Sequence, residues 1–406
     1  MTTTEAEVRA AVEAAYRDEW GQLVATLIGL TGDWDLAEEC AQEAFATALT
    51  VWRRDGIPRR PGAWLTTTAR NRATDRLRRG AVGAAKLRQL AVLARDPVRP
   101  AEQDIPDERL RLIFTCCHPA LPMPARVALT LRTLAGLTTA EIGQAFLTPE
   151  TTMAQRLLRA KRKITEAGIP YRVPPADLLP ERLSAVLAVL YLIFNRGYDE
   201  DDQRRGLTGE AIRLTRLVAG MMPKEPEPRG LLALLLLHEA RRATRTVDGV
   251  LVPLEHQDRS RWDRALIAEG VAVLDSALTL RRAGPYQLQA AIAARHATAA
   301  DAADTDWAEI ARLYGELTRV LPSPVVELNW AVAVAMADGI PAGLELVDAL
   351  ARSGRLDRYH LLPATRADLL RRAGRLEEAR LAYREAIGLA PGEAERRYLT
   401  RRLDEL

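Results

Sequence analysis

The chain has 406 residues, 48% of them hydrophobic and 27% charged, with a formal net charge of +3. That length and apolar content can fill two or three cores, which excludes a disordered chain. The apolar stretches at 183–194 and 231–237 fall short of the roughly 18 to 20 residues of a membrane span, and "MTTTEAEVRA" lacks a hydrophobic signal core, so a cytoplasmic protein without a membrane partner is expected.

The near-neutral total hides a division. Residues 1–45 hold two arginines against ten acids, whereas residues 53–79 hold nine arginines against two acids. Helical periodicity is predicted over 5–30, 34–53 and 64–79, with Gly and Pro breaks at "TGDWD" and "RRDGIPRRPG". In the third segment, "WLTTTARNRATDRLRR", Leu65, Ala69, Ala73 and Leu77 form a narrow apolar stripe. Arg70, Asn71, Arg72, Thr74, Arg76, Arg78 and Arg79 cover the rest. A charge run ordinarily does no more than solvate a helix. Arginine with Asn and Thr, however, is a donor set suited to phosphates and base edges, and the segment holds almost no carboxylate to pair with it.

Periodicity fades over 80–106, which reads as a linker, and a second helical block follows over 107–167 until prolines 170, 174, 175 and 180 close it. Cys40, Cys116 and Cys117 read as reduced thiols, and "CCH" at 116–118 lacks the further ligands of a zinc site, so no metal and no cofactor are expected. Within the block, "LTTAEIGQAF", a break at "LTP", and "ETTMAQRLLRAKRKI" follow helix-turn-helix logic, with Thr138 or Thr139 as cap and Pro149 opening the second helix. That helix presents residues 150–156 to a major groove, and Arg156, Arg159, Lys161, Arg162 and Lys163 make its far end basic.

Together these segments resemble an extracytoplasmic-function (ECF) sigma factor of the sigma-70 family, over residues 5–79 and 107–167. "DLAEECAQEAFATAL" is similar to the family's polymerase-binding helix, which implies contacts to the beta-prime clamp from Glu39, Gln42 and Glu43, with Phe45 packing inward. "WLTTTARNRATDRLRR" resembles the helix that opens the −10 promoter element. The resemblance implies DNA contacts from Arg70, Asn71, Arg72, Thr74 and Arg78, with Asn71 lining a pocket for an unstacked base, residues 53–62 forming a loop over it, and Trp64 starting the helix and packing. "TAEIGQAFLTPETTMAQRLLRAKRKI" resembles the −35 reader. Ala154 stands where many members carry a basic residue, so that contact set shifts to Thr151, Thr152, Gln155, Arg156, Arg159 and Arg162. The implied partners are core RNA polymerase, through its beta-prime clamp and beta flap, and promoter DNA.

Residues 174–406 exceed a minimal sigma factor. In "RADLLRRAGRLEEARLAYREAIGLAP", Ala367, Gly374, Ala379, Tyr383, Ala386 and Pro391 fall at tetratricopeptide-repeat spacings, and Tyr314 and Pro322 repeat one interval upstream, whereas 180–300 is degenerate. With 32 cations against 34 acids, this extension has little reason to bind DNA itself, and a regulatory protein is its expected partner. The acids at 199–202 and His238 beside Glu239 lack a second zinc ligand, a phosphate loop or a nucleophile elbow, so no enzyme is expected. The expectation is an all-α chain: sigma region 2 at 1–79, a linker at 80–106, sigma region 4 with its helix-turn-helix at 107–170, and a helical, tetratricopeptide-like extension at 171–406. The alternative is a helix-turn-helix transcription regulator with a sensory tetratricopeptide-like domain, which would have no need of the acidic 35–49 helix.

Overall fold

A computed structural model describes residues 4–79, 108–146, 148–198, 205–247, 250–390 and 392–406. The linker expected at 80–106, the acids at 199–202 and Pro391 lie outside the described residues. The chain forms two compact units, one of residues 1–197 with 209–214, the other of residues 198–208 with 215–406.

In the first unit, α1 (Glu5–Thr31), α2 (Trp34–Asp55) and α3 (Pro61–Arg79) pack on one another. Thr4 and Glu7 form a reciprocal capping box that satisfies first-turn N–H groups of α1, and Asp33 caps α2 by accepting from Asp35 N and Leu36 N. Of the predicted α3 stripe, Leu65, Ala69 and Ala73 are fully buried and Leu77 is half-buried, and small residues there let α3 lie close against α1 and α2. Then come α4 (Glu108–Cys116), α5 (Met123–Thr133), α6 (Thr139–Ala145), α7 (Glu150–Glu166) and α8 (Leu179–Tyr198). Arg182 of α8 donates to Phe114 O at 2.7 Å and Arg196 to Ala145 O at 2.9 Å, which ties α8 to α4 and to the end of α6.

Helix α9 (Arg205–Met221) is followed by α10 (Glu227–Glu239), whose residues 230–237 are buried, in keeping with a helix surrounded by protein. A short antiparallel pair, β1 (Thr246–Val247) and β2 (Val250–Leu251), precedes the remaining helices. These are α11 (Arg264–Leu278), α12 (Pro285–Thr298), α13 (Trp307–Val320), α14 (Pro324–Asp338), α15 (Ile340–Arg352), α16 (Leu361–Arg372), α17 (Leu376–Leu389) and α18 (Glu393–Asp404). From α12 onward each helix packs on the next, the arrangement of a helical solenoid. Ala367, Ala379, Tyr383 and Ala386 are buried between α16 and α17, and Gly374 takes the left-handed φ of 75° that turns one helix into the other. Helix α18 also packs against β2.

Candidate nucleic-acid interface

The α3 stripe fixes what the rest of the helix can do. With Leu65, Ala69 and Ala73 inward, Asn71 and Arg78 are exposed, and Arg70 and Thr74 are half-buried. Asn71 lines an open groove with Thr68, Arg72, Asp75 and Arg79 of its own helix and Glu43 of α2. Thr68 and Asp75 were not singled out from the sequence, although their spacing of three and four from Asn71 and Arg72 places them on the same face, with Arg79 one further turn along it.

The reading of α3 as nearly free of carboxylate partners is corrected here, because the partners come from α2. Arg72 donates to Glu43 Oε2 at 2.8 Å and to Thr47 Oγ1 at 2.7 Å, and Arg76 pairs with both Glu39 and Glu43. Arg70 and Arg78 have no hydrogen bond or ion pair among the described residues. The turn before α3 is also tighter than expected. Helix α2 runs on to Asp55 and α3 starts at Pro61, not Trp64, leaving residues 56–60 between them. The Trp64 ring packs edge-on against Trp52, with centroids 5.6 Å apart.

On α2, Glu39 and Gln42 are exposed, whereas Glu43 is half-buried by its arginines. Phe45 is 5% exposed and meets Tyr16 edge-to-face at 5.0 Å. It packs inward, as the resemblance implied.

Thr138 caps α6 through a reciprocal box with Glu141, and Pro149 stands just before α7. Met153, Leu157, Ala160 and Ile164 form the buried stripe of α7, so Thr151, Thr152, Gln155, Arg159 and Arg162 are exposed and Arg156 is half-buried. Arg162 reaches Glu166 at 3.3 Å, and Arg156, Arg159 and Lys163 have no such partner among the described residues. Lys161, read from the sequence as part of the basic end, points the other way. Its side chain is 13% exposed and its Nζ lies 2.8 Å from both Asp35 and Glu38 of α2.

That contact belongs to a junction between the first three helices and the helix-turn-helix. Glu38, 6% exposed, also receives Arg132 of α5 at 2.9 Å. Tyr16 donates to Gly136 O at 2.8 Å and Trp20 Nε1 to Arg132 O at 3.3 Å. Gly136 has φ +75°, and a Cβ there would lie 2.8 Å from the Tyr16 ring, so both backbone and space require glycine. No local pattern announces contacts between residues about a hundred positions apart.

The remaining chemistry-bearing residues are packed. Cys116 and Cys117 are buried against Thr133 and Thr130, and burial pushes the Cys117 thiol up to about 11. His238 is held neutral, its pKa lowered to about 3 by burial and then by Arg241, with Tyr198 edge-on at 5.8 Å. Among the described residues no helix is long and apolar enough to cross a membrane.

Sigma-70 region 2 matches residues 16–82, sigma-70 region 4 matches 111–164, and a family of unknown function (DUF6596) matches 182–278. An uncharacterized protein of Rhizobium meliloti (strain 1021) is 43% identical over 396 residues, 95% of this chain and 93% of that protein. The probable ECF RNA polymerase sigma factor SigI of Mycobacterium tuberculosis is 27% identical over 171 residues, 41% of this chain and 58% of that protein. The basic α3 and the α6–α7 helix-turn-helix thus fall inside the two sigma-70 regions, and the chain belongs to the ECF sigma factors of the sigma-70 family, with a helical C-terminal extension.

Proposed function

We propose that the chain binds core RNA polymerase through the exposed face of α2 and directs promoter-specific initiation, with α3 opening the −10 element and α7 reading the −35 element. The observation that carries this is the Asn71 groove. An amide sits in a groove with Thr68, Asp75 and Arg79 and with the Arg72–Glu43 pair, where it can bond the edge of an unstacked base while Arg79, with Arg70 and Arg78, unpaired among the described residues, meets the displaced backbone. The outward face of α7 supports the second contact, since its hydroxyls, Gln155 and arginines suit a major groove flanked by phosphates. Transcription with purified core polymerase on a library of promoter fragments tests the reading. Specific products are expected; duplex binding without initiation would favour a conventional regulator.

The extension acts through protein contacts, and we favour assistance of initiation over inhibition. Its near-balanced charge gives it little reason to bind DNA by itself. A truncation that tests this has to keep α8, because Arg182 and Arg196 anchor it to α4 and the end of α6. Lower promoter-specific transcription from the truncated chain is expected, and higher output would make the extension an attached inhibitor.

A further inference from the structure

The second unit contains a cavity of about 300 Å³, walled by the segment after β2 and by α12, α13, α14, α16 and α18. Its charged groups are already engaged. Arg372 pairs with Glu255 at 2.6 Å and Asp368 at 2.7 Å, and Arg259 donates to the carbonyls of His296 and Ala299 while lying over the Trp262 ring. Four polar side chains on the wall are not engaged. The His296 imidazole and the hydroxyls of Thr305, Thr365 and Tyr398 have no hydrogen-bond partner among the described residues. Between them the surface is apolar, from Leu254, Val332, Met336 and Leu369, with the Trp307 ring beside His296.

We propose that this cavity is a binding site for a small uncharged aromatic molecule carrying amide-like or hydroxyl groups. Size supports this, since a cavity of roughly 150 Å³ accommodates benzene and this one has room for about two rings. The walls supply ring and aliphatic contacts with a few convergent polar groups, the usual composition of a ligand pocket. Hydroxyls and a neutral imidazole both donate and accept, which matches an amide or a phenol. His296 stays neutral, its pKa lowered to about 4 by burial and then by Arg241 and Arg259. A charged ligand would have to compete with ion pairs that are already closed. The site draws together the start and the end of the helical stack, so its occupancy bears on how that unit is held.

The test uses the full chain and three probes of one shape: indole-3-carboxamide, indole-3-carboxylate and indole-3-carboxamidine, titrated by calorimetry with thermal unfolding alongside. Saturable binding of the carboxamide is expected, with both charged probes about tenfold weaker or worse. Thr365→Val keeps the shape and removes one hydroxyl, and it should weaken the carboxamide about five- to tenfold. Ala364→Trp, which fills the cavity from its wall, should abolish binding. No saturable binding of the carboxamide at millimolar concentration, equal or tighter binding of either charged probe, or affinity unchanged by Thr365→Val would each overturn the proposal.

Discussion

Helices α3 and α7 are both arginine-rich and both carry a buried stripe of about one residue per turn, yet they handle their charge differently. On α3, Arg72 and Arg76 are committed to Glu39 and Glu43, so the cations left unpaired among the described residues include Arg70 and Arg78, before and after Asn71 in the helix. On α7, half-buried Arg156 and exposed Arg159 have no carboxylate partner among the described residues, and Lys161, turned inward, bolts the helix to α2. The number of arginines on a helix therefore measures its potential for DNA poorly. What counts is which of them the neighbouring helix has left without a carboxylate.

The comparison can be broken hardest at Glu38. Replacing it with Ala leaves Arg132 and Lys161, 15% and 13% exposed, without their shared buried partner. Removing one member of a buried pair costs roughly 3 kcal/mol. Denaturant unfolding of Glu38→Ala should show that loss, and a midpoint matching the parent would mean that the junction is not held by charge. Next comes Asn71→Ala, expected to spare assembly with core polymerase and to weaken open-complex formation by about 1 to 3 kcal/mol. Unchanged permanganate reactivity of promoter thymines in the mutant would remove Asn71 from the pocket.

Smaller effects separate tied from free residues. Glu43→Ala should cost about 1 kcal/mol of stability through its half-exposed arginine pairs, whereas Gln42→Ala should leave stability within about 0.5 kcal/mol and lower affinity for core polymerase. Equal affinity of Gln42→Ala and parent would move the interface off this face. The smallest effect is expected at Arg159→Ala, which should leave folding unchanged and reduce the salt slope of promoter binding by about 1. If Arg72→Ala reduced the slope as much, the pairing seen on α3 would not persist on DNA.

Much of this was legible in the sequence, for local reasons. Helix starts follow from caps such as Thr138 with Glu141, and the α3 and α7 stripes follow from spacing, so the buried side of each helix could be named in advance, whereas the inward turn of Lys161 could not. The last repeat was readable because Ala379, Tyr383 and Ala386 are small or aromatic at fixed intervals. The pairing of α3 arginines with α2 was not readable, since nothing in "DLAEEC" says which of its acids turns toward a helix thirty residues on. Glu38 looked no different from Glu39, although one is buried and the other exposed. The cavity in the second unit escaped for the same reason: its four unengaged polar groups come from four segments spread over more than a hundred residues.

On the proposed function, the junction built on Glu38, Tyr16 and Trp20 bears on promoter engagement. Following the chain from Asn71 through Arg72, Glu43, Glu38 and Lys161 to Gln155, the two reading faces lie within roughly 50 Å of each other by element rise and side-chain reach. Elements named for positions −10 and −35 are about 25 base pairs apart, roughly 85 Å along the duplex axis at 3.4 Å per pair. If α3 and α7 occupy those two elements at once, the junction has to part, returning Glu38, Arg132 and Lys161 to water and breaking the Tyr16 and Trp20 hydrogen bonds. On the proposed reading the parted form is the one that spans both elements, so the fraction of molecules that keep the junction closed lowers the apparent promoter affinity of the free protein.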